Sequence, residues 1–76
     1  MRTQIDTKAQ KSRLIRLMLA NYKGTIVDAV DAVNRCRDTF GIDLDWHDYA
    51  AELDSMARCQ LVTLIDGSGF CKYLIN

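Results

Sequence analysis

Proline is missing from this sequence, histidine occurs once, and no run of 18 apolar residues is present. The last absence excludes a membrane-spanning helix. With no proline, internal repeat or low-complexity stretch to interrupt it, the chain offers no linker. Its 76 residues fall below the ~100 to 150 of a typical domain. One small domain is expected over residues 7–76, preceded by a loose polar tail, residues 1–6. A signal-peptide pattern of basic start, apolar run and small-residue cleavage site is also lacking, which points to the cytoplasm. The three cysteines, Cys36, Cys59 and Cys71, show no C-x-x-C spacing and have only His47 for company. A zinc site is therefore not expected, and the thiols read best as small buried hydrophobes.

Catalytic chemistry is equally sparse. No glycine pair forms a phosphate loop ahead of a helix, and no nucleophile motif is recognisable. His47 beside Asp45 or Asp48 resembles a base with its orienting acid, but aspartate in the first turn of a helix is more simply a cap. The chain is expected not to be an enzyme and to need no cofactor or metal.

What is present is a 49% apolar, 26% charged composition, that of an ordinary globular protein. A chain this short buries only about 60% of the surface its unfolded form exposes, so modest stability and dimerisation are expected. Ten basic residues balance ten acidic ones, but unevenly along the chain. Residues 1–24 hold six cations against Asp6 alone, a charge of +5, and the remainder is correspondingly −5. Such asymmetry marks a nucleic-acid partner, a self-complementary assembly or simply a solvated surface.

Hydrophobic periodicity places a first helix from Asp6 or Thr7 to Tyr22, with Leu14, Ile15, Met18, Leu19 and Tyr22 on one face and Gly24 to end it. Thr25 followed by Asp28 resembles a capping box opening a second helix over 26–40, with Ile26, Ala29, Val30, Val33 and Phe40 on one face and Gly41 closing it. Asp45 then Asp48 gives another cap pattern. Behind it Trp46, Tyr49, Ala50, Leu53, Met56 and Ala57 lie within roughly 120° of arc. Leu61–Ile65, a turn of Asp66, Gly67, Ser68 and Gly69, and Phe70–Ile75 read as a β-hairpin. The fold class is mainly α with a C-terminal β-hairpin. Its core is expected to set Trp46, Leu53 and Met56 against Ile15, Leu19, Val30 and Val33.

The segment Glu52-Leu53-Asp54-Ser55-Met56-Ala57-Arg58-Cys59-Gln60-Leu61-Val62, a helix running through a short break into Leu-Val and a hairpin, resembles the winged-helix form of the helix-turn-helix domain. It is most similar to compact, ArsR-like winged-helix proteins of bacteriophages and bacteria, and the resemblance covers residues 7–76. It implies a three-helix winged-helix domain, double-stranded DNA as partner, transcription regulation as role, and pairing into a homodimer. Gln60 stands where that family usually has glycine, the second helix is longer than usual, and Gly41–Leu44 is not a tight turn. The family's metal-sensing cysteine pair is missing, so metal sensing does not carry over.

If the third helix reads DNA, helical geometry turns His47, Asp48, Ala51, Ser55 and Arg58 outward. Ala51 and Ser55 are small enough for close approach to a major groove, and His47, Ser55 and Arg58 can donate to base edges or phosphates. Ser68 and Lys72 are the wing's contributions, and Arg2 or Lys8 add phosphate contacts from the amino-terminal segment. Asp48, Glu52 and Asp54 lie on or beside this face and repel phosphate. The alternative is a winged helix that holds another protein and no DNA. Leu17 and Ala20, beside Arg13 and Arg16, face away from the first helix's core stripe and mark a dimer interface of Arg13, Leu17 and Ala20. Trp46 and Phe40 resemble base-stacking platforms, but both fall on expected core arcs.

Overall fold

The computed structural model describes residues 8–69 and 71–76; the expected tail at 1–6 lies outside them. Helix α1 spans Lys8–Leu19 and tightens into a 3-10 turn, Ala20–Tyr22. Strand β1, Ile26–Val27, precedes α2, Ala29–Phe40, and α3, Trp46–Arg58. Strands β2, Val62–Asp66, and β3, Lys72–Ile75, form the C-terminal hairpin. The result is the expected class, helix-rich with a terminal hairpin and winged-helix-like in order. The sheet has three antiparallel strands in the order β1-β3-β2.

Strand β1 corrects the expected start of the second helix. Ile26 pairs with Leu74 and Val27 with Tyr73, and the Ile75 N–H donates to the Thr25 carbonyl at 3.0 Å. Thr25 is therefore no cap. Asp28 takes that role, its carboxylate accepting the Asp31 N–H at 2.7 Å, which satisfies one of the open donors of the first turn. At the other end Gly41 adopts φ 70° and its N–H returns to the Arg37 carbonyl at 2.9 Å, a left-handed closure that glycine makes without steric cost.

Each helix buries residues at i, i+3, i+4 and, in two cases, i+7, the pattern of a single inward stripe. The stripes are Ile15, Met18 and Leu19 in α1, Ala29, Ala32, Val33 and Cys36 in α2, and Tyr49, Glu52, Leu53 and Met56 in α3. Val27, Val62, Tyr73 and Ile75 cover them from the sheet. Five members of the expected core, Ile15, Leu19, Val33, Leu53 and Met56, are in place. Val30 and Trp46 are not, at 41% and 38% exposed, and Phe40 is also 38% exposed. Val30 sits about 100° round the helix from Ala29, off the stripe. Phe40 ends α2 and Trp46 begins α3, and the loop between them packs Ile42 and Leu44 against the core instead.

Two further expectations are corrected. Asp45 precedes α3 without a side-chain capping bond; its carboxylate accepts from His47 Nδ1 at 3.0 Å. Of the thiols only Cys36 is buried, while Cys59 is exposed and Cys71 half-buried.

Gln60 takes φ 64° where the winged-helix pattern has glycine. A side chain in the left-handed region is strained by about 1 to 2 kcal/mol, and glycine's extra unfolded-state freedom returns part of that. Gln60→Gly is therefore expected to raise stability by about 0.5 to 1 kcal/mol, read as a higher urea midpoint at unchanged slope.

Candidate nucleic-acid interface

The outward face of α3 follows from its inward stripe. At about 100° per residue, His47, Ala51, Asp54 and Arg58 point within roughly 30° of directly away from the core. Ser55 and Asp48 turn toward α1. Together with Ala9, Lys11 and Ser12 of α1 they line an open groove of about 580 Å³. The expected DNA set thus divides: His47, Ala51 and Arg58 crown the helix, Ser55 lies in the groove, and Ser68 and Lys72 stand on the hairpin.

Glu52 corrects the expected electrostatics. It is 7% exposed and belongs to the core stripe, where Arg16 Nε of α1 donates to its carboxylate. The same guanidinium donates from Nη2 to Ser55 Oγ at 3.2 Å. This fork explains how a carboxylate can sit among apolar side chains, since a buried charge needs a hydrogen-bonded partner. Arg16, placed by the sequence beside the outer surface of α1, points inward to α3. Proton loss from Arg16 is made harder than usual, chiefly by its hydrogen bond to Glu52.

The remaining acids of this face are also engaged. Arg58 Nη2 donates to Asp54 at 2.7 Å, four residues back along the helix, and Lys11 meets Asp48 at 3.4 Å. The bond from the His47 ring holds the Asp45 carboxyl below the usual carboxylate range, and the imidazole stacks on Trp46 at 3.8 Å between ring centres. At the hairpin tip Asp66 accepts both the N–H and the hydroxyl of Ser68, each at 2.9 Å. Those two bonds hold its carboxyl low, and Lys72, its cross-strand neighbour, adds to the effect. Ser68 therefore spends its hydroxyl hydrogen inside the turn.

Lys11 and Ser12 were not among the sequence-derived site residues. The basic excess of residues 1–24 is the feature that contains Lys11, but only the packing of α1 beside α3 brings it to the groove. Arg2 and the Lys8 side chain lie outside the described residues. Arg13, Leu17 and Ala20 are exposed, and none of them lines the α3 groove. Among the described residues no group of three or more His, Cys, Asp or Glu is placed to hold a metal ion, and no helix is long and apolar enough to cross a membrane. Comparison of the chain with known protein families, with characterised proteins and with solved structures finds no match.

Proposed function

We propose that this chain is a small winged-helix protein of the cytoplasm that binds double-stranded DNA and regulates transcription, with α3 entering the major groove and the hairpin resting beside the backbone. The supporting observation is the shape and chemistry of the α3 face. Ala51 is exposed at its centre, with Arg58 and His47 toward its two ends and Lys11 across the groove. A helix with a small centre and donors at both ends suits close approach to base edges.

The ion pairs of that face set the strength of binding. Exposed pairs such as Arg58–Asp54, with side chains 78% and 57% exposed, contribute little to stability, so phosphate can take the cation over. The displaced carboxylate stays nearby and repels the backbone. Binding through three or four phosphates per protomer gives a log–log salt slope near −3 to −4, shallow for a DNA regulator. Arg58→Ala is expected to reduce that slope by about one unit if Arg58 meets phosphate, or to relax sequence preference by about 1 to 3 kcal/mol if it meets guanine. Fluorescence anisotropy on a labelled duplex across a salt series measures both. Tight binding unchanged by Arg58→Ala and Lys72→Ala excludes this surface.

A second reading, a winged helix that holds a protein, draws on the same pairs. With Arg58 and Lys11 each opposite a carboxylate, these pairs are locally balanced, as suits a polar protein surface. Absence of duplex binding at low salt decides for it.

A further inference from the structure

The DNA reading leaves the opposite surface of α1 without a role. Leu17 is 63% exposed, and Ala20 follows one turn later on the same side of the helix. Ala20 also lines a separate hollow of about 100 Å³, together with Met56, Leu61, Ile75 and the polar Asn76. Leu61 is itself 43% exposed. An apolar strip therefore runs from α1 across the hollow to the residue before β2. It joins parts of the chain more than forty positions apart.

Among the described residues, the charged side chains beside this strip are basic. Arg13 lies one turn before Leu17, and Lys23 lines the hollow. Both are exposed, and among the described residues neither forms a salt bridge. Arg16 also borders the hollow but is held by Glu52. No acidic side chain lines it. Asn76 is the remaining polar residue of the hollow, and an apolar strip whose charged neighbours among the described residues are cations is complementary to a ligand of the opposite pattern.

We propose that this strip docks an acidic, amphipathic segment of another protein, with one apolar side chain entering the hollow between Ala20 and Leu61 and carboxylates meeting Arg13 and Lys23. A second copy of this chain suits it less well, because a two-fold interface would set a rim of cations against itself. The inference does not rest on the DNA reading, since none of these residues belongs to the α3 face.

The test is a titration of the isotope-labelled chain, followed by NMR, with a short helical peptide carrying leucines at i, i+3, i+4 and i+7 and glutamates between them. A counterpart with lysines in place of the glutamates serves as the control. The expected result is shifts centred on Leu17, Ala20, Lys23 and Leu61 with the acidic peptide only, weakened by added salt. Leu17→Glu, at an exposed helical position, should leave the circular dichroism spectrum unchanged and weaken binding about tenfold or more, and Lys23→Glu should weaken it severalfold. Arg58→Ala should leave peptide binding intact while altering DNA binding, so the two surfaces fail or succeed separately. The proposal is overturned by equal shifts from both peptides, by no shifts from either at millimolar concentration, or by acidic-peptide binding that survives Leu17→Glu. Sedimentation that finds a dimer at high micromolar concentration, abolished by Leu17→Glu, overturns it too and assigns the strip to a second copy.

Discussion

Leu53→Ala is expected to lower stability by about 2 to 5 kcal/mol. Leu53 is fully buried at the middle of the α3 stripe, in the same cluster as Ile15 and Leu19 of α1, Val33 of α2 and Val62 of β2. Truncation removes the transfer free energy of the side chain and leaves a cavity. Neighbours on three helices and a sheet cannot all collapse into it. A domain of this size has only about 5 to 15 kcal/mol in hand, and each kcal/mol lost moves its melting temperature by roughly 4 to 8 °C. Thermal unfolding followed by circular dichroism should therefore show a fall of about 10 °C or more. A melting curve superimposable on that of the unaltered chain rules out this core.

Tyr49→Phe is expected to act in the opposite direction and to raise stability by about 1 kcal/mol, or roughly 4 to 8 °C in melting temperature. Tyr49 is fully buried, and its hydroxyl makes no hydrogen bond of ordinary geometry. The polar group it faces is the thiol of Cys36, a weak donor and weak acceptor. Burial pushes both groups up in pKa, the phenol far above its ordinary value, so both stay protonated at neutral pH. The hydroxyl lost its water on folding and gained little in exchange. Phenylalanine keeps the ring and drops that cost. A lower melting temperature for Tyr49→Phe would mean that the hydroxyl–thiol contact is worth more than its desolvation.

The elements carried by local pattern were legible in the sequence: three helices with apolar residues at helical spacing, Gly41 as a left-handed closure, and a hairpin around Gly67 and Gly69. Strand β1 was not. Its two residues, Ile26 and Val27, lie between cap-like residues Thr25 and Asp28, and nothing local says which of these starts the helix. Pairing with β3, nearly fifty positions later, decides it. The place of Glu52 was hidden for the same reason. On periodicity alone a glutamate belongs outside, which rotates the α3 stripe toward Trp46 and Ala50. Arg16, 36 positions away, supplies the partner that lets Glu52 turn in. Of the candidate interface, the outward positions of Ala51 and Arg58 followed from helical spacing, and the Asp54–Arg58 pair is an i,i+4 contact that spacing permits. The Lys11–Asp48 pair depends on how α1 lies against α3, and the Asp66–Ser68 bonds on the conformation of the hairpin turn, neither of which spacing reveals.

The most direct test of the DNA reading is an NMR titration of the isotope-labelled chain with a mixed-sequence duplex at two salt concentrations. Shifts are expected to concentrate at Ala51, Asp54 and Arg58 of α3 and at Ser68 and Lys72 of the hairpin, weakening at the higher salt as counterion release requires. Silence at low salt, or shifts confined to Arg13 and Lys23, would contradict the DNA reading.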